Sequence, residues 1–359
     1  MDLRWMLLLA PVALVLDALG TMPAPAVFFC AALAIAPLAM RIVESTEAIA
    51  VRTGPAVGGL LNATFGNLPE LIIAVVALRA GMIELVRASL VGALLANLLL
   101  GLGLSFLLGG LRYHAQDYNP LAARSYASMM LLAVISMAVP SGFHRFFGAE
   151  QGFRHTGVLD TSVAVVLLAT YGLYLLYQLR THSETFSKHE GPPPGEPAAG
   201  THASVQRALL LLVAASLGAA WLSEVLVGAA EATGHALGMS PTFLGLVVLA
   251  AVGGAAEIGS AVAMGRRNEM DLSIGIALGS CIQIALFVAP LLVLLGGLIG
   301  PQPFSLSFTR GEMGFLFVSV LLGGLVASDG RSNWFKGVQL LAVYVLLALV
   351  CYLVPSVSP

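Results

Sequence analysis

FGNLPELIIAVV, residues 65–76, decides how this chain is read. It sets Asn67, Pro69 and Glu70 almost side by side in an apolar run between Leu61 and Ile72. Proline has no N–H to donate, and its ring crowds the carbonyl four residues back, here that of Phe65. The spacing therefore predicts a helix that breaks or kinks between Gly66 and Pro69, freeing carbonyl oxygens beside a carboxylate. Irregular backbone at membrane depth is tolerated only where it lines a cavity or is buried in protein. A charged side chain at the bilayer centre costs at least about 2.5–3.5 kcal/mol on insertion scales. A chain that accepts both together is built around a polar site in apolar surroundings.

The rest of the sequence supplies those surroundings. The 359 residues are 58% hydrophobic and only 10% charged, with mean hydropathy +0.92. A soluble domain carries about 25% charged residues. Apolar runs near 20 residues recur from end to end, which is the mark of membrane-spanning helices. Eleven candidate spans emerge, at about 5–20, 24–40, 55–78, 88–109, 125–141, 157–179, 207–229, 241–265, 272–299, 311–328 and 336–354. The fold class is all-α and polytopic. A net charge of −2 offers no basic surface for nucleic acid. Cys30, Cys281 and Cys351 lie in apolar runs without metal-ligand spacing and read as packing residues.

The first run is short, follows Arg4 and contains Asp17, and APA at 24–26 resembles a cleavage site. We read it as a retained leading helix. Lysine and arginine favour cytoplasmic loops. The side holding the N-terminus collects twelve of them and the other side five, so the N-terminus is expected inside and the C-terminus outside. The stretch 180–207, rich in Pro, Gly, Ser and Thr, reads as a linker, with His182, His189 and His202 as solvated loop residues. The expected organisation is a leading helix over 1–21, a five-helix half over 22–180, a cytoplasmic linker over 181–206 and a second five-helix half over 207–359.

Shifting the sequence by 187 residues carries Glu70 onto Glu257, Gly66 onto Gly253 and Gly92 onto Gly279. Eight of 35 positions match between 66–100 and 253–287 without a gap. Two rare intramembrane glutamates in one register give those matches their weight. Upstream, Glu44 falls on Glu231, and Glu84 meets Asp271. An odd number of spans separates the copies, so the halves insert with opposite orientation. Inverted repeats frame a midplane site in many secondary transporters.

Two facing carboxylates are tolerated if both are protonated or if a cation sits between them. In a narrow site these conditions exclude each other, which is the chemistry of exchange. Calcium takes six to eight oxygens, and Asn67, Asn97, Ser280 and Gln283 are the candidate neutral donors beside Glu70 and Glu257. Asn67 and Asn97 have the alternative of hydrogen-bonding between helices, Ser280 of back-bonding to its own helix, and Gln283 of structural glue. Glu44 and Glu231 either line an entrance or face the polar boundary. Glu84 and Asp271 begin spans and read as helix caps, and Asp329 reads as a turn or cap. Phe65, Gly66 and Gly253 contribute through backbone at the two expected breaks.

These residues resemble a known family, the calcium/proton (cation/proton) antiporters of the calcium/cation antiporter superfamily. GGLLNATFGNLPEL, 58–71, is similar to the family's first signature, and GIALGSCIQIALFVAP, 275–290, to the stretch after the second. DGRSNWFKGVQLLAVYVLLAL, 329–349, resembles its C-terminal segment. The resemblance implies one leading helix and two inverted five-helix repeats with discontinuous signature helices. It also implies that Glu70 and Glu257 bind the cation and exchange it for protons. The family's second signature usually reads Gly-Asn-Ala-Ala-Glu-His, whereas here Gly254 and Ile258 replace the asparagine and histidine. Ala93 stands where a serine is usual, and the acidic helix between the halves is absent. Sodium, potassium or another divalent ion thus stays open beside calcium.

No cofactor is expected. The partners are an inorganic cation, protons and the lipid bilayer; a homo-oligomer stays open. The compact chain favours a bacterial inner membrane. A cation channel is a weaker reading, because an internal inverted duplication is not a ring of subunits. An intramembrane serine hydrolase built on EIGSA, 257–261, lacks a histidine within any span core, His235 coming nearest. No Walker-type loop for a primary pump is present.

Overall fold

The computed structural model describes residues 9–19, 22–53, 55–147, 156–186 and 205–353. Their architecture is helical. In chain order, α1 is Leu9–Leu19, α2 Ala24–Thr53, α3 Pro55–Phe65, α4 Leu68–Arg79 and α5 Ile83–Tyr113. After a short strand, β1 (Ala115–Asp117), come α6, Pro120–Phe147, and α7, Gly157–Thr181. Then follow α8, Val205–Leu237, α9, Pro241–Gly253, α10, Ala255–Arg266, and α11, Met270–Ile299. The described chain closes with α12, Arg310–Ala327, strand β2, Arg331–Asn333, and α13, Trp334–Leu353.

Eight of these helices are long and apolar enough to cross a membrane, or nine if the bent α9–α10 pair counts as one span. Their burial sorts them. In α5 83% of the most apolar window is buried, against 22% in α13, so α5 is central and α13 peripheral. Peripheral side chains such as Leu210, Leu298 and Leu325 are exposed, as expected where lipid is the solvent. His189 and His202, and Asp17 as a side chain, lie outside what the structure describes.

Two glycines set how closely the helices meet. A Cβ at Gly92 of α5 would collide with the Leu246 backbone of α9. One at Gly245 of α9 would sit 2.7 Å from the Ala88 Cβ and 2.9 Å from the Leu85 carbonyl. Without side chains at these points, α5 and α9 touch backbone to backbone, the small-residue packing that membrane helices use.

The two strands depart from a purely helical reading. β1 and β2 pair antiparallel, with Gln116 opposite Ser332. At three residues each they are too short to show a period of two in the sequence. Side chains reinforce the ribbon. Arg331 Nε lies 2.9 Å from Asp117 Oδ1, and Lys336 Nζ bonds both Asp329 oxygens and the Arg331 carbonyl. Gln116 also donates to the Gly265 carbonyl at 2.9 Å and to Asn268 Oδ1 at 3.0 Å. Three turns, at 114–119, 265–269 and 328–333, are thereby bonded together on one face.

A candidate cation site

The expected interruption at Gly66–Pro69 is present. α3 ends at Phe65, and α4 starts at Leu68 with Pro69 in its first turn. The proline thus opens the second helix rather than kinking the first, because its missing N–H is not needed in a first turn. Position 69 gives the Phe65 carbonyl no intrahelical bond. In the second copy, α9 and α10 meet at Gly254 with a bend of 58°.

The two breaks match closely. Leu68–Arg79 and Ala255–Arg266 are both twelve residues long and are offset by 187 at each end. The junction residues also adopt similar backbone angles, φ −99° and ψ 25° at Asn67 against φ −79° and ψ 11° at Gly254. Glu70 is the third residue of α4 and Glu257 the third of α10. A helix N-terminus favours negative charge, so each carboxylate stands where its own helix supports the ionised form.

Glycine at 253 brings the glutamates to one centre. A Cβ there would lie 3.2 Å from Glu70 Cγ, so Glu70 packs against the second break, one helical turn before Glu257. The neutral candidates cross over in the same way. Asn67 at the first break donates its amide to Gln283 Oε1 on α11. Asn97, on α5, places its Oδ1 3.6 Å from where a Gly254 Cβ would be. Each break is faced by an amide from a helix in the other part of the chain.

The group is buried and largely without partners. Asn67 and Asn97 are 1% exposed, Glu70 8% and Glu257 6%. Among the described residues, none of the four carboxylate oxygens has a hydrogen-bond partner, and neither do Asn67 Oδ1 and Asn97 Oδ1. Burying ionised groups without partners is costly unless protons or a counter-ion neutralise them. The donors are all oxygens, which suits a hard cation. Among the described residues no three His, Cys, Asp or Glu converge on a metal position. Further ligands would therefore be amides, hydroxyls and carbonyls. Glu257, Ser280, Gln283 and Gly66 border a cavity of about 470 Å³.

The secondary candidates separate from this group. Glu44 is largely exposed and pairs with Arg41 at 2.6 Å, so it faces the polar boundary. Glu231 lines a different cavity of about 400 Å³, together with Glu84 and His235, in which neither Glu70 nor Glu257 takes part. Glu84 does not cap its helix, whose N-cap is Met82. Asp271 accepts the Asn119 backbone N–H at 2.6 Å, serving the chain before α6 rather than its own helix, and it borders the cavity that reaches Glu257. Tyr126, Tyr171 and Tyr174 also line that cavity. Sequence reading missed them, since tyrosines near the end of an apolar helix look like ordinary interfacial residues.

Known proteins share this arrangement of segments. The family model for sodium/calcium exchanger protein matches residues 23–180 and 207–353, leaving out the linker. A Ca(2+)/H(+) antiporter from Synechocystis sp. is 42% identical over 343 residues, covering 92% of this chain and 91% of that protein. The Ca(2+)/H(+) antiporter ChaA of Bacillus subtilis is 36% identical over 336 residues, covering 93% and 94%. Among solved structures, native YfkE superposes with a TM-score of 0.82 at 33% identity, over 97% of this chain and 100% of that one. An H+/Ca2+ exchanger CAX, at 14% identity and TM-score 0.71 over 98% and 91% of the two chains, shares the fold. With both long segments matched, this chain belongs to the sodium/calcium exchanger protein family.

Proposed function

We propose that this chain is a secondary antiporter that exchanges Ca2+ for H+ across a membrane, with Glu70 and Glu257 as the shared cation and proton site. The observation that carries the reading is the set of four buried carboxylate oxygens without partners among the described residues, delivered by two matched helix breaks. Calcium entering between them supplies the positive charge that protons otherwise supply, so each displaces the other. Relatives at 42% and 36% identity, named as Ca(2+)/H(+) antiporters, support calcium as the cation. Asn67, Asn97, Ser280 and Gln283 are assigned as neutral donors, with backbone oxygens near Phe65, Gly66 and Gly253 as supplements.

The proposed architecture counts α1, the α3–α4 pair and the α9–α10 pair each as one span, giving eleven. Five follow α1 before the linker and five come after it, with opposite orientations. The matched offsets of α4 and α10, and of the starts of α5 and α11 at Ile83 and Met270, support that arrangement. The N-terminus and the 181–206 linker are assigned to the cytoplasmic side and the C-terminus to the outside. A bacterial inner membrane is the assigned location.

The test is a cation panel in pH-loaded proteoliposomes. Calcium is expected to dissipate the proton gradient, with sodium, potassium and manganese as comparators. Glu70→Gln and Glu257→Gln should each abolish calcium-driven proton flux in protein that still folds. Substantial exchange retained in both single variants would end the reading. Preference for sodium or potassium would keep antiport and replace calcium, the alternative that Gly254 keeps open.

A further inference from the structure

The cavity that reaches Glu257 has two phenols in its wall with no use in the site just described. Tyr171 and Tyr174 on α7 are 4% and 8% exposed. Neither hydroxyl meets a donor or acceptor among the described residues. Buried tyrosine hydroxyls normally find a partner. Both side chains line the same cavity as Glu257 and Gln283. At about 470 Å³ it is far larger than the roughly 30 Å³ share of one liquid water.

The other lining residues give the cavity a direction. Asp271 is in the first turn of α11, Gln178 is near the end of α7, and Glu47 is near the end of α2. Those three helix ends all lie on the linker side in the proposed topology. The cavity therefore opens at an acidic mouth of Glu47 and Asp271 and holds both the tyrosines and Glu257 in its deeper wall. On the opposite side, the cavity bordered by Glu84, Glu231 and His235 reaches neither site glutamate. The rings are held in place, with Tyr171 5.8 Å from Phe287 and 6.4 Å from Tyr174 between centroids. Fixed, neutral oxygens between an acidic mouth and a buried carboxylate suit a cation that still carries water. The phenol oxygens accept from the ion's hydration shell without adding charge.

We propose that Tyr171 and Tyr174 form an outer waiting position for a hydrated divalent cation, passed on the way from the linker side to Glu257. This rests on the antiport reading. The tyrosines are positioning residues, and their effect is one-sided.

The full chain is reconstituted and calcium is presented from one face at a time. Tyr171→Phe/Tyr174→Phe should raise the half-saturating calcium on the linker side about tenfold, the combined scale of two ordinary hydrogen bonds to the ion's water. From the opposite face the value should stay at wild type. No shift, or an equal shift from both faces, would overturn the proposal, since lost packing has no side. A second arm uses terbium as a calcium stand-in on purified Glu257→Gln protein. Tyrosine-sensitised emission should persist there and fall when both phenylalanines are added. Absence of emission, or emission indifferent to the two substitutions, would also overturn the proposal. If wild-type protein exchanges no calcium for protons, the antiport reading falls, and the terbium arm still decides the tyrosines.

Discussion

Gly254→Asn is the substitution that best probes the site's logic. Asn67 and Gly254 hold equivalent junctions, but only the first offers a side-chain amide. The backbone at 254, φ −79° and ψ 11°, suits any L-residue, so no strain follows from losing glycine. A Cβ would meet the Ala250 carbonyl at 3.2 Å, and the Asn97 amide at 3.6 and 3.7 Å. The first contact is tight and the others ordinary, so the added side chain must nudge its surroundings by a few tenths of an ångström. That adjustment sets a cost of up to about 1 kcal/mol, at the low end for small-to-large changes. A new amide oxygen facing a cation gains about 1.5–3 kcal/mol, by analogy with hydrogen bonds to charged groups. The net gain of about 1.4 kcal/mol corresponds to a tenfold tighter apparent affinity. Calcium-dependent dissipation of a proton gradient, measured over a calcium titration in vesicles, reads it directly. An unchanged or weakened affinity in well-folded protein would refute the claim that a side-chain oxygen at position 254 would join the site.

Two further outcomes follow from packing and charge. Gly92→Val should lower the unfolding temperature in detergent, by the ~1–3 kcal/mol typical of overpacking, because its Cβ collides with the Leu246 backbone. Gly279→Ala, at the matching position but in open space, should stay within about 0.5 kcal/mol of wild type. In the loop after α12, partial burial alone would push the Asp329 carboxyl up, but the Lys336 ammonium and the Arg331 N–H outweigh it and hold it below the usual range. A carboxyl depressed in the folded state stabilises fully above its unfolded value, about 3.9, and loses that contribution as pH falls through the folded one. Asp329→Asn should therefore lower the melting temperature at pH 7 and flatten its decline below about pH 4. A parallel decline in both proteins would show that the carboxylate adds nothing.

Much of the site was legible because its residues are rare in their setting. A glutamate beside a proline in an apolar run announces itself, and the same register 187 residues later removes most of the chance reading. The second break was legible only as a glycine pair, with no proline to mark it, yet it bends by 58°. The pairing of Asn67 with Gln283 was not legible, since no local pattern relates positions so far apart. Glu44 and Glu231 match in sequence and both are exposed, but only Glu44 has an arginine three residues before it to pair with, since position 228 is glycine. The tyrosine pair on α7 carried no sequence signal, because a phenol at a membrane interface and one lining a cavity have the same neighbours in the chain.

The ribbon of β1 and β2 has a consequence for how the molecule is held together. Its strands come from segments before and after the linker, and Gln116 ties both to the turn after α10. Along the long α2 and α8, and where α5 meets α9, further joints cross the same boundary without passing through residues 187–204. The covalent tether is thus redundant as a fastener. Severing it by protease, or translating the two pieces from separate messages, should leave these seams available for the pieces to find each other.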